Sequence, residues 1–507
     1  MKKAQQLICH QHLIPSLTHI KSSKSPAVLV SELIGKQPTF NYARALKKKS
    51  PNTLPFIFTH QQPQQHWLCK KYSMASNHQF IDLEQLALKL FRGIWSTEQE
   101  FTTTPYHLID NMYHEESGLF SEGCWHNFVM GLNYIHILRN TQYHSFSSEY
   151  TIKEKLRKLA HSVLNLNFDK RQELFFMRQP SGIWQNVDES EMQERKEFWR
   201  PHMEKKKLIS NAMALLFYST LPHEYLPSEL NLDRLCNSII ANFYDEETKL
   251  WKTTASSDPK ECPVTSQHYR LVDHALVYLA LLRFSLKATN PSIKDRVDGL
   301  TTELLSTILL RFKVESIEDR ISYLDDNLQQ FPKRFLWQEC WVVIALIASK
   351  KCNSVVSKLV GNMFWEYLDE ETGFLFSESI GSIKDTSTIQ IKDNGKTKRK
   401  ISPNTHQMFC SFINDNSLFY WILSNRHLFC SADELQKEWK EYSTSFKLYL
   451  EKATVRTPVD SSQRLFISDY FLREGLWANS ETIFALLGTI NDLLAVGDVS
   501  AQSKVNE

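Results

Sequence analysis

The stretch "NFYDEETKLWKTT", residues 242–254, is followed by "HYRLVDHALVYLALLRF" at 268–284. Relatives of the first appear as "NMYHEESGLFSEG" at 111–123 and "WEYLDEETGFLFSES" at 365–379, each again between apolar segments. An acidic run ending in a turn-forming position, repeated between segments of helical periodicity, reads as the connection within a repeated helical hairpin.

Working outward, "LEQLALKLFRGIW" (83–95) shows helical spacing, and the chain after it falls into pairs of segments. The second member of each pair is apolar nearly all round, at 124–138, 207–221, 269–284, 335–349, 413–425 and 476–494. The first members, at 104–114, 151–178, 228–244, 291–313, 353–369 and 433–453, are amphipathic and more charged. A helix without a polar face must be enclosed, so the apolar set forms an inner layer and the charged set an outer one. The loop tips recur at long intervals: Gly118 to Gly182 is 64 residues, Gly182 to Lys249 is 67, and Lys249 to Gly373 is 124, two units of 62. That period suits two long helices plus an elaborated loop. The fourth loop, "YLDDNLQQF", and the sixth, "FLREGLWAN", depart from the pattern.

Six hairpins can stack in a line or close into a ring. Closure would bring the starts of the inner helices to one mouth, and Asn127, Asn211, Asp273, Glu339, Asp415 and Asn479 fall at about the same place in the six. Polar groups gathered around an axis need water or a ligand to be stable there. The expected fold is therefore all-α, an (α/α)6 toroid of six hairpins over residues 79–495, with a flexible insert at 379–403 and a tail at 496–507.

The loops "FYDEETKLW" and "YLDEETGFLF", with the inner segment "VDHALVYLALL", make the chain resemble the six-hairpin (α/α)6 toroid proteins. These include glucoamylase-like glycosidases and N-acylglucosamine 2-epimerase-like isomerases. The resemblance covers about residues 80–495 and implies a sugar held in the mouth against aromatic rings and acid/base groups. Trp125, Trp184, Trp251, Trp337 and Trp477 lie on the loop side, where indole faces suit sugar C–H faces, although each indole is also a good wedge between hairpins. With the six polar residues they form the expected substrate-binding set. The stretch "DHALVYLAL" looks like the epimerase segment in which a catalytic His opens an inner helix, although the Glu usual three residues later is Val277 here. That makes His274, beside Asp273, the first candidate for proton transfer, with His126 and His406 as second bases. A glycosidase would instead use two carboxyls across the mouth, for which Glu339 and Glu481 are the candidates. The acids of the loop tips, such as Asp245 and Asp369, read as solvated turn residues. A sugar epimerase or isomerase is the first reading, an inverting glycoside hydrolase the second, and a toroid that only binds or scaffolds the third.

Composition narrows the class. The apolar fraction of 42% supports a large core, and only 14 glycines in 507 residues disfavours a β-rich fold. A formal net charge of +2 gives no bulk attraction to nucleic acid, and no run of 18 apolar residues crosses a membrane. The nine cysteines are scattered without a CxxC pair, as expected of reduced thiols in a cytoplasmic or organellar compartment. No metal or cofactor motif is present. Residues 1–80 hold eleven Lys/Arg and one acid, Glu32. Residues 1–78 therefore read as a basic, poorly structured leader or a targeting segment. The run "KDNGKTKRK" (392–400) reads as an exposed loop.

Overall fold

The computed structural model describes residues 82–101, 118–119, 123–177, 205–255, 269–325, 328–331, 334–369, 373–377, 379, 388–393, 396–401, 413–431, 433–456, 465–467 and 475–495. The leader, residues 104–114, Gly182, Trp184 and His406 lie outside them.

In chain order the helices are α1 (Leu83–Phe101), α2 (Cys124–Arg139), a short α3 (His144–Glu149), α4 (Ile152–Asn167), α5 (Leu208–Thr220) and α6 (Leu232–Phe243). They continue with α7 (Leu271–Ser285), α8 (Pro291–Ser306), α9 (Leu336–Ser349) and α10 (Asn353–Tyr367). The last are α11 (Ile413–Ser424), α12 (Gln436–Ala453), α13 (Gly475–Leu486) and a short α14 (Ile490–Leu494). Among the described residues, α2, α5, α7, α9, α11 and α13 each pack against the next, and α13 packs against α2, which closes the ring. The outer helices sit behind them: α4 on α2, α6 on α5, α8 on α7, α10 on α9, α12 on α11 and α1 on α13. The fold is the expected (α/α)6 toroid.

Sequence periodicity explains the layers. All thirteen residues of α5 are buried, and α9 is buried from Leu336 to Ile347. By contrast α6 buries only Leu235, Cys236, Ile239, Ile240 and Phe243, one stripe of an amphipathic helix, and Asn231 caps it by accepting from the Arg234 N–H. The pairing differs from expectation in one respect. Each inner helix packs on the outer helix that follows it in the chain, and α1, read from sequence as standing apart, is the outer partner of the last inner helix.

The long connections all run from an outer helix to the next inner one, so they gather at the N-terminal ends of the inner helices. There the acidic stretches form short antiparallel hairpins: β1 (Phe168–Asp169) with β2 (Leu174–Phe175), β3 (Tyr244–Asp245) with β4 (Leu250–Trp251), and β8 (Leu368–Asp369) with β9 (Phe374–Leu375). The first acid makes the turn, since Asp245 Oδ1 accepts from the Glu247 and Thr248 N–H groups. It is also anchored, because Asp245 pairs with Lys252 and Asp169 with Lys206. The turn closes with left-handed backbone at Glu173, Lys249 and Gly373. The second tip is therefore Glu173, not Gly182. The degenerate fourth connection keeps the shape: β5 (Tyr269–Arg270), β6 (Tyr323–Leu324) and β7 (Gln330–Phe331) form a three-stranded sheet, with Leu328 left-handed. The insert expected to be a flexible loop contains paired strands, β10 (Thr388–Asp393) and β11 (Lys396–Ile401).

The described cysteines are free thiols, four of them buried. Close approach of α2 to α5 depends on Gly131, where an added Cβ would fall within 3.0 Å of the Phe217 ring. Gly131→Ala should therefore destabilise the protein by about 1–3 kcal/mol through overpacking, read as a lower melting temperature by circular dichroism. An unchanged melting temperature would show that α2 and α5 can separate at no cost.

Candidate functional site

The polar residues near the starts of the inner helices fall into two groups. The first group points at the hairpins. Four residues into α5, Asn211 accepts from the Phe175 N–H (2.7 Å) and donates to the Phe175 and Lys207 carbonyls (3.0 and 2.9 Å). Four residues into α11, Asn416 does the same with Leu375 (3.1 and 3.0 Å). The equivalent residue of α7 is His274. Its Nε2 accepts from the Trp251 N–H (3.0 Å), and its Nδ1–H donates to the Arg270 carbonyl (2.7 Å). These contacts hold the ring as the neutral tautomer, and burial pushes its pKa down to about 4 despite the opposing pull of the Arg270 carbonyl and Asp273. With both nitrogens bonded to backbone groups, His274 is placed to fix β4.

The expected alignment of polar residues is thus displaced by one position in two repeats: His274 and Asn416, not Asp273 and Asp415, match Asn211. Asn127 donates to the Gly123 carbonyl at the start of α2 (3.0 Å). Trp251 is fully buried against Tyr244, with ring centroids 5.1 Å apart, so its indole is a wedge inside the fold.

Two of the candidate acids are neutralised in the wall. Asp273 receives Arg270 through both oxygens (2.9 and 2.6 Å) and the Thr253 hydroxyl (3.0 Å). Glu339, four residues into α9, receives Arg320 through both oxygens (2.6 and 2.8 Å). Arg320 continues to Asn362 and Glu366 on α10, and Arg334 also pairs with Glu366. Glu339 therefore joins inner to outer helix. Such bidentate pairing satisfies a buried carboxylate and holds it in the ionised form.

The second group faces the ring axis. Glu481 on α13 has no exposed surface, and its Oε1 accepts from the indole N–H groups of Trp125 (2.9 Å) and Trp337 (3.0 Å). Its Oε2 accepts from the Asn414 amide (2.7 Å). Four inner helices thus converge on one carboxyl. Trp125 and Trp337 come from helices on opposite sides of the ring and meet edge to face, with centroids 5.6 Å apart, and Trp341 joins Trp125 at 5.7 Å. Indoles therefore fill the axis at this level and form a floor. Burial raises the Glu481 pKa, and the three donors oppose that shift without cancelling it. Several buried polar atoms at this end have no hydrogen-bond partner among the described residues: Asn414 Oδ1, Gln338 Oε1, Trp341 Nε1 and Lys205 Nζ. Orphaned polar atoms of this kind call for a ligand or water.

His126 stands half-buried beside Trp125, and Asp415 is buried on α11. Trp477 and Asn479 fall in the first turns of α13, with side chains outside the described residues. Sequence reading missed Asn414, Trp341, Arg270, Arg320 and Lys205. Arg270 and Asp273 share a helix start at i, i+3 spacing, and that signal was available.

If His274 serves as a hairpin anchor, Asn can replace it, as in two other repeats. His274→Asn should keep the melting temperature near wild type, whereas His274→Ala should cost about 1–3 kcal/mol by leaving the Trp251 N–H unsatisfied. Equal losses in the two variants would contradict the anchoring role.

No family model and no curated protein matches the chain. Solved structures do. Cellobiose 2-epimerase from Bacillus thermoamylovorans B4167 is 10% identical, with a TM-score of 0.51 over 80% of this chain and 97% of that one. D-mannose isomerase is 11% identical, with a TM-score of 0.51 over 81% of this chain and 96% of that one. At these identities the likeness is one of fold, and the fold is a six-hairpin (α/α)6 toroid.

Proposed function

We propose that the protein is a carbohydrate-active enzyme, a sugar epimerase or isomerase, that takes its substrate at the N-terminal end of the inner ring. The observation that carries this reading is the Glu481 carboxyl, held on the axis by two indole N–H groups and one amide, with its pKa raised by burial. Burying a carboxyl without a cation is costly, and a fold that only needed filling would place a hydrocarbon there. A raised pKa favours the protonated form relative to an ordinary carboxyl, which suits a group that gives and takes a proton. The indoles of Trp125 and Trp337 form the platform for the sugar, and His126 beside Trp125 is the second proton-transfer group. The two structural relatives, named as a cellobiose 2-epimerase and a mannose isomerase, support the choice of reaction class.

A second reading is a toroid that binds sugar without transforming it. It is favoured by one fact: two of the candidate acids, Asp273 and Glu339, are committed to arginines.

Incubating hexoses, N-acetylhexosamines and disaccharides with the protein in D2O and following deuterium at the carbon beside the carbonyl separates these readings. Exchange should occur and fall about 100-fold or more in Glu481→Gln, within the range of general acid–base effects. A sugar-dependent thermal shift without exchange would select the binding reading. Hydrolysis of aryl glycosides that is lost in the same variant would select a hydrolase.

The variant also has a pH signature. Because the folded-state pKa of Glu481 lies above its ordinary value of 4.5, the fold favours the protonated form. Its stabilising contribution is complete at acid pH and is lost as pH rises through the folded value. In Glu481→Gln the Asn414 amide can turn over so that its orphaned Oδ1 accepts from the new N–H. The variant should therefore melt a few degrees above wild type at pH 8 and level with it near pH 4. A gap that widens toward acid would contradict a raised pKa.

A further inference from the structure

A carboxylate offers about four lone-pair sites, two on each oxygen. Both sites on Glu481 Oε1 are taken, by the indole N–H groups of Trp125 (2.9 Å) and Trp337 (3.0 Å). On Oε2 one is taken, by the Asn414 amide (2.7 Å). A proton arriving at this carboxyl therefore binds Oε2, the oxygen that Asn414 faces. Asn414 is the second residue of α11 and 1% exposed, and its Oδ1 is enclosed without a hydrogen-bond partner among the described residues. An amide carries a donor end and an acceptor end of equal size, and half a turn about its last torsion exchanges them. The donor end suits a carboxylate; the acceptor end suits a carboxylic O–H. Indole N–H groups only donate, so neither Trp125 nor Trp337 can receive a bond from that proton.

We propose that Asn414 is a positioning residue for Glu481, its amide turning as the carboxyl gains or loses a proton and so keeping that proton on Oε2. Without such a partner, a buried carboxyl that changes state leaves a polar group unsatisfied in one of its two forms. When Oε2 gives its proton to a substrate, the Nδ2–H returns to the carboxylate. The catalytic consequence rests on the reading of Glu481 as the proton-transfer group, whereas the coupling of Asn414 to the carboxyl is measurable without any substrate. Other titratable groups near Glu481 are the Cys340 thiol of α9, Asp415 of α11 and His126 beside Trp125 on α2. Burial, with the carboxylates around it, pushes the Cys340 thiol well above its ordinary range. On α1, Glu84 is engaged with Gln142 and Arg92 with the Phe146 and Tyr150 rings, and Leu465–Ile467 holds no charged residue.

The test compares the melting temperatures of wild type, Asn414→Leu, Glu481→Gln and the double variant from pH 4 to pH 8. Leucine keeps the size and removes both ends of the amide. The ionised form loses more, because hydrogen bonds to a carboxylate are the stronger kind. The folded-state pKa of Glu481 thus rises further above 4.5, and more stability is lost as pH climbs. The deficit of Asn414→Leu should be smallest near pH 4 and wider by about 2 °C at pH 8. In the Glu481→Gln background that widening should vanish. A deficit equal at every pH overturns the proposal, as does one that keeps its pH dependence without Glu481. Should Asn414→Leu fail to fold, Asn414→Asp keeps the shape. Its carboxyl can share a proton with Glu481 in acid and repels it above, so this variant should match wild type near pH 4 and fall steeply below it by pH 8. Level melting throughout would equally overturn the proposal. In the D2O assay Asn414→Leu should lower the maximal exchange rate at pH 7 with the Michaelis constant within about twofold, as expected of a group acting only on proton transfer. A pH-coupled deficit in a protein that exchanges no sugar would sink the enzyme reading and leave the role of Asn414 standing.

Discussion

Inner helices can share an axis only if their first turns are held at one level, and a side chain four residues into the helix does this. Asn211, His274 and Asn416 each bond the backbone of the hairpin before their own helix, where no water is available to do so. Glu339 reaches the same end through Arg320. Amide, imidazole and carboxylate serve alike because the requirement is only that a buried peptide group find a partner. Once the hairpins are fixed, their strands link sideways: Lys207 bridges Thr254, Lys252 bridges Tyr269, and β5 pairs with β6. A band of short backbone pairings then runs along part of the mouth wall.

The inner layer was legible in the sequence because helices such as α5 and α9 have no polar face, and closure of the ring was legible from the polar residues recurring at the inner helix starts. The turn-forming acids were legible as turn residues, though their salt bridges to Lys206 and Lys252 were not. The anchoring contacts of His274 were not legible, for a chemical reason. A histidine that accepts from a peptide N–H and one that accepts from a substrate are the same residue at the same helix start, and only the position of Trp251 distinguishes them. Glu339 presents the same ambiguity, since its partner lies nineteen residues back, on the far side of a sheet. The β10–β11 hairpin carried a signal that was passed over, the Asn394-Gly395 pair between its strands. The convergence of Trp125, Trp337, Asn414 and Glu481 had no local sign, because it joins residues up to 356 positions apart.

The axis and the wall treat charge in opposite ways. In the wall, Asp273 and Glu339 each have an arginine, and the resulting pairs brace inner helices against their surroundings. On the axis, Glu481 has three neutral donors and no cation, an environment that leaves its protonation state open to change. The contrast within one molecule, more than burial alone, singles this carboxyl out from the others.

Ring closure by α13 against α2 has a consequence for biosynthesis. The carboxyl enters with the last inner helix, and one of its indole partners sits on the first, so synthesis must pass residue 481 before the centre can assemble. Until then five inner helices stand as an open arc whose apolar flanks await the sixth, a state exposed to aggregation. A product that stops short of α13 would lack both the seal and the acid, so a chain of this design can be structurally complete only when it is also chemically complete.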